Sequence, residues 1–162
     1  KPVHERNQFG WAPMQEVAKL FAGIFLTIIP VIAMLQAGAN GPFAAVVRAV
    51  THGDGTPNPA AYFWATGLLS SFLDNAPTYL VFFNTAGGEP AQLMGPLAST
   101  LAAISAGAVF MGANTYIGNA PNLMVKALAE DRGVKMPSFF GYMAWSGGVL
   151  LPLFAVMTWL FF

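Results

Sequence analysis

The run from Gly112 to Asn122 closes a segment, Pro90 to Val125, that contains no charged residue. An apolar stretch of that length is expected to form one continuous membrane helix. This one instead carries two glycines, three asparagines and a proline at its end. Inside a bilayer every backbone N–H and C=O has to be satisfied by the protein itself. A helix-breaking run at membrane depth is tolerated only where it is buried in protein or lines a watery cavity. The run therefore predicts an interrupted transmembrane helix, the device with which secondary transporters build ion sites near the bilayer midplane.

The interruption has a counterpart. Leu73-Asp74-Asn75-Ala76-Pro77-Thr78-Tyr79-Leu80-Val81 aligns with Ile117-Gly118-Asn119-Ala120-Pro121-Asn122-Leu123-Met124-Val125, with Asn, Ala, Pro and Val coinciding. Proline suits the first turn of a helix, where its missing N–H costs nothing. The asparagine before it caps or accepts a turn. Each motif thus predicts a loop feeding a new half-helix whose free N–H groups form a partial positive pole.

The composition fits a membrane chain: 56% hydrophobic, 9% charged and 14% aromatic, against roughly 25% charged in soluble domains. Net charge is zero, which leaves no footprint for nucleic acid. Without cysteine there is neither a disulfide framework nor a thiolate metal site. His4 and His52 lie outside the apolar spans, lack metal-ligand spacing, and are read as loop residues. No secretory signal is visible. The start at Lys1 and the apolar end, Trp159 to Phe162, suggest the C-terminal part of a larger membrane protein.

In chain order, Lys1 to Met14 is read as a polar arm, and Leu20 to Ala37 as a spanning helix kinked at Pro30. Pro42 to Val50, with Arg48, is a short interfacial helix, followed by a loop. Ala61 to Phe83 is apolar and interrupted at its middle, so it either spans or forms a re-entrant hairpin. Charge decides for the hairpin, because cytoplasmic loops collect Lys and Arg. With a hairpin, Lys1, Arg6, Lys19, Lys126, Arg132 and Lys135 share one face and only Arg48 lies on the other. With a span they split three against four. The hairpin places the loop 126–135 in the cytoplasm and the C-terminus outside. Asn84 to Gln92 is then an external loop, Leu93 to Met111 a helix rich in small residues that let backbones approach, and Pro121 to Ala129 a half-helix. Met136 to Phe162 is a last apolar helix with soft points at Gly147, Gly148 and Pro152. Trp64, Trp145 and Trp159 serve as interface anchors or as packing.

The expected fold is all-α and integral to the membrane. Residues 1–60 hold the arm, a transmembrane helix and the interfacial segment; residues 61–135 hold the re-entrant hairpin and the broken helix; residues 136–162 hold the C-terminal transmembrane helix.

Asp74 is the one acidic residue within an apolar segment. A charge near the bilayer centre costs at least ~2.5–3.5 kcal/mol, so a chain that keeps it uses it, as ion ligand or proton carrier. The plainer alternative is a cap on the second half-helix. Asn75, Asn114, Asn119 and Asn122 offer amide oxygens, and Thr78, Thr115, Ser70 and Ser71 offer hydroxyls. Such oxygens suit a hard cation such as sodium, for which Asp74, Asn75 and Asn119 are the leading ligands. For any one of them the alternative is satisfaction of broken backbone. Lys126 either approaches an anionic substrate or snorkels to the interface.

At these residues the chain resembles the ion-transporter superfamily, which includes sodium/proton antiporters, arsenite efflux pumps, citrate–metal symporters and the melanosomal P protein. Ser71-Phe72-Leu73-Asp74-Asn75 is similar to the Ser/Ala-Phe-Leu-Asp-Asn element of the antiporter and P-protein branch. Ile117-Gly118-Asn119-Ala120-Pro121-Asn122 is similar to that group's Ile-Gly-Asp-Pro-Pro-Asn element, with Asn119 and Ala120 replacing Asp and Pro. The resemblance covers about Ala61 to Ala129. It implies two inverted repeats, of which this chain supplies the second and the N-terminal half of the same transporter the first. It also implies a homodimer in which a transport domain moves against a scaffold, with Glu16 to Ala37 and Met136 to Phe162 scaffold or peripheral.

The leading expectation is a secondary transporter of the inner (plasma) membrane exchanging sodium for protons. These act as coupling ions, with no other cofactor and no nucleic-acid partner. Sodium would bind between hairpin tip and helix break, with Asp74 ionised around it and protonated on the return. A citrate-type carboxylate transporter is the alternative, its anion held at the half-helix starts near Pro77 and Pro121. A non-transporting membrane subunit is the third. An enzyme is not expected, because no nucleophile–histidine pairing and no phosphate loop is present.

Overall fold

A computed structural model describes residues 11–162. The arm expected at the N-terminus, with His4, lies largely outside the described residues. Among the described residues the secondary structure is helical, without a strand; Thr51 and Pro57 form only an isolated bridge.

Helix α1, Ala12–Gln36, continues through Pro30. A 3-10 turn, Gly38–Asn40, leads to the short α2, Ala44–Ala49. A tight turn follows, in which His52 N–H donates to Thr56 O and Asn58 N–H to Val50 O. Asp54 accepts from both the N–H and the hydroxyl of Thr56. The hydroxyl bond first, then the backbone one, holds its carboxyl below the usual range.

Asn58 caps α3, Pro59–Ser70, by accepting from Ala61 N–H, with Pro59 in the first turn. After the tip, residues 71–74, comes α4, Asn75–Thr85. The helix expected over Leu93 to Met111 is two: α5, Pro90–Met94, and α6, Ala98–Phe110. Gly95-Pro96 divides them, because the residue before proline avoids helical geometry and proline itself brings no N–H. Helix α6 runs into a 3-10 turn, Met111–Asn114, and an irregular stretch, 115–119. Then come α7, Ala120–Asp131, and α8, Phe139–Phe161, which passes through Gly147, Gly148 and Pro152 without a break.

The core lies where α3, α4, α6 and α8 meet, and comprises Val50, Tyr62, Phe63, Phe82, Ala103, Ile104, Met111 and Phe154. Phe63 stands edge-on to Phe154 and tilted against Phe162, so α8 lies along the start of α3. Trp64 Nε1 donates to Thr158 Oγ1 across the same seam. Large apolar side chains also cover much of the outside, among them Leu26, Ile29, Leu68, Phe140, Trp145 and Trp159. Among the described residues one helix, Phe139–Phe161, is long and apolar enough to cross a membrane. Ala22–Gln36 and Ala98–Asn114 are shorter apolar helices.

Candidate functional site

The two motifs paired in sequence are also neighbours in space. A Cβ on Gly107 would lie 2.5 Å from Phe63 O, and one on Gly67 would collide with the Met111 side chain. Thr115 Oγ1 donates to Ser71 O. Phe63 with Gly107, Gly67 with Met111 and Ser71 with Thr115 share the spacing that separates Asn75 from Asn119. Helices α3 and α6 therefore run in the same direction, in register, and reach their interruptions side by side. Glycine at 107 is what lets the backbones approach so closely.

The two interruptions then cross. Gly118 passes the tip so closely that a Cβ there would lie 2.6 Å from both Ser70 O and Ser71 O. Interrupting a helix frees carbonyls, and buried carbonyls need donors. Here hydroxyls supply them. Ser70 Oγ donates to Ala108 O and Ser71 Oγ to Met111 O. From α8, Tyr142 Oη donates to Ala113 O at 3.2 Å and Ser146 Oγ to Asn114 O at 2.6 Å. Thr115 Oγ1 serves twice, giving its proton to Ser71 O and accepting from Gly118 N–H. A cavity of about 170 Å³ lies against this crossing, lined by Ser71, Asn114, Thr115 and Ser146 among apolar neighbours.

The residues singled out in the sequence fall into three places. Asn114 and Thr115 are at the crossing. Asn114 Nδ2 donates to Ser71 Oγ at 3.0 Å, while its Oδ1 is buried with no partner in the protein. Asp74, Asn75 and Thr78 belong to the far side of the tip. Asp74 is exposed and caps α4, accepting from Ala76 N–H at a long 3.5 Å. The buried Thr78 donates back to Asp74 O. Half-buried Asn75 lines an open groove with Tyr79, Ser105 and Ala108. Asn119 and Asn122 belong to the start of α7. Asn119 is its N-cap but makes no side-chain cap bond, and Asn122 Nδ2 is buried without a partner. One turn on, Lys126 pairs with Glu130 at 2.7 Å and sits over the Tyr116 ring.

No group of three or more His, Cys, Asp or Glu is gathered for a metal among the described residues. A cation at the crossing would meet neutral oxygens. The sequence reading missed Tyr142, Ser146 and the part played by Gly118. A Tyr-x-x-x-Ser pair on one face of an otherwise apolar helix was the available signal for the first two.

Interrupted helices packed against one another are one way in which membrane transport proteins bring polar groups to a site in apolar surroundings. Comparison with protein families gives the chain its class. The chain belongs to the family described as "Putative citrate transport", whose model it matches over residues 1–162. No curated protein and no solved structure matches it.

Proposed function

We propose that this chain is the C-terminal half of a cation-coupled carboxylate transporter, with a citrate-type anion as cargo. One observation carries the reading. The same interruption leaves an acceptor, Asn114 Oδ1, and a donor, Asn122 Nδ2, buried and unpartnered on its two sides. Each would cost about 1–3 kcal/mol if left so. A cation complements the first, with Ser71, Thr115 and Ser146 beside it. A carboxylate oxygen complements the second, at the uncapped positive pole of α7. The family's description supports the carboxylate.

Helix lengths support the membrane arrangement. At about 1.5 Å per residue, the twelve residues of α3 and eleven of α4 reach roughly half of a ~30 Å hydrocarbon layer. That suits a re-entrant hairpin whose tip meets a broken helix at the midplane. The loop 126–135 then faces the cytoplasm and the C-terminus the outside of the plasma membrane. The N-terminal half of the same transporter supplies the inverted partner repeat, and two copies form a dimer.

Sodium/proton antiport is the second reading. It is favoured by Asp74, whose exposed carboxylate stands at the pole of α4. Vesicles with a pH gradient separate the two. Citrate uptake that depends on a cation, with KM raised about tenfold by Asn122→Leu and cation dependence weakened by Asn114→Leu, supports the symporter. Sodium-driven collapse of the gradient, lost in Asp74→Asn and accompanied by no citrate uptake, replaces it with the antiporter.

A further inference from the structure

Several hydroxyls in this chain return to the carbonyl one turn back. Thr27, Thr51, Thr78, Thr85, Ser105 and Thr158 each donate to the carbonyl four residues earlier. Thr66, fully buried in α3, does not. Its Oγ1 has no partner in the protein, and neither has the equally buried Tyr62 hydroxyl one turn before it. One turn after it, next to the tip, comes Ser70, also fully buried, whose hydroxyl reaches Ala108 O of α6. Tyr62, Thr66 and Ser70 recur at every fourth position and so form one stripe along α3.

Two open hydroxyls in a dry core cost about 1–3 kcal/mol each, and water is what removes that cost. Four residues of helix rise about 6 Å, so Thr66 and Ser70, whose hydroxyls both sit close to the backbone, are spaced for two hydrogen bonds of about 2.8 Å through one water, and the longer gap to the Tyr62 phenol takes more than one. The tyrosine side chain leans toward the start of its helix. The stripe therefore begins beside the turn 51–58, whose exposed His52 and Asp54 face solvent, and ends at the tip.

We propose that the Tyr62–Thr66–Ser70 stripe holds ordered water and is the route by which protons pass between the 51–58 surface and the hairpin tip. Each hydroxyl and water accepts one proton while releasing another, so no group on the stripe changes charge. The proton role rests on the transporter reading above; the water does not.

The test uses the intact transporter and two readouts. X-ray hydroxyl-radical labelling modifies a buried side chain only where ordered water touches it. Tyr62 is expected to be labelled in the wild type and at least fivefold less in Thr66→Val. In vesicles, proton movement driven by citrate or sodium is expected to fall at least tenfold in Thr66→Val and in Tyr62→Phe. Exchange of labelled cargo at equal pH stays unchanged, and Thr66→Ser restores the flux. An unlabelled Tyr62 overturns the proposal whatever is transported. Labelling with undiminished proton flux overturns the route, and loss of flux in Thr66→Ser assigns the effect to packing and overturns it too. Sodium-driven flux without citrate uptake, lost in Thr66→Val, removes the carboxylate reading while leaving the route standing.

Discussion

Gly118 is held by space, not by backbone conformation. Its φ is not among the positive values, which fall at Gly38, Gly55, Gly87, Gly88 and Gly133. The added methyl of Gly118→Ala would meet the carbonyls of Ser70 and Ser71, and backbone cannot swing aside as a flexible side chain can. Overpacking of this kind costs about 1–3 kcal/mol. It would also push Thr115 off Ser71 and move Asn114, so uptake is expected to fall with stability. Gly148 gives the contrast. It lies inside α8 with nothing within 4 Å of its would-be Cβ, so Gly148→Ala should gain up to about 1 kcal/mol of helix preference and leave uptake unchanged. Thermal unfolding and uptake assays on both variants check this; equal behaviour would mean that the crossing has slack.

Among the elements, α8 does more than fill a place in the bilayer. Its Ser146 hydroxyl takes the Asn114 carbonyl, which the interrupted helix can no longer pair for itself. Ser146→Ala leaves that carbonyl without this donor, and a loss of about 1–3 kcal/mol in thermal unfolding is expected. Ser105→Ala should stay within about 0.5 kcal/mol, because its hydroxyl only doubles up on a carbonyl inside a regular helix. The helix starts at Asn75 and Ala120 were legible in the sequence, since Asn-Ala-Pro within an apolar run has few structural meanings. Their mutual packing was not. Nothing in the residues alone says that Ser71 will meet Thr115, or that α3 and α6 run in the same direction. Asp74 shows the same limit. Its type and setting predict either a ligand or a cap, and the choice depends on how the tip turns. In this structure it makes the cap, and among the asparagines singled out in the sequence Asn114 and Asn122 carry buried unpartnered atoms instead. The division of α5 from α6 was written in Gly95-Pro96 and was hidden only by the surrounding apolar run.

For the whole molecule, the distribution of apolar side chains is inside out relative to a soluble domain. Of α8 only Phe154 is buried, while Phe140, Trp145, Leu153, Trp159 and Leu160 are each more than half exposed. Apolar exposure on that scale on a water-soluble monomer would drive association; against lipid tails it is at rest. Twenty-three residues at about 1.5 Å each give roughly 34 Å, enough to cross the hydrocarbon layer. Depth along α8 then sets what a charge costs. Val149 is exposed near the middle of the helix, so Val149→Arg should incur about 2.5–3.5 kcal/mol on the insertion scale. Phe140 is exposed at its start, where an arginine can lift its guanidinium to the interface. The membrane-integrated fraction after alkaline extraction is therefore expected to drop sharply for Val149→Arg and little for Phe140→Arg, with Val149→Leu as wild type. Equal losses from both arginines would mean that the start of α8 is covered as fully as its middle and that depth does not set the cost. Equal tolerance would mean that the middle of α8 stays in contact with water, and the helix could not then be the one that crosses.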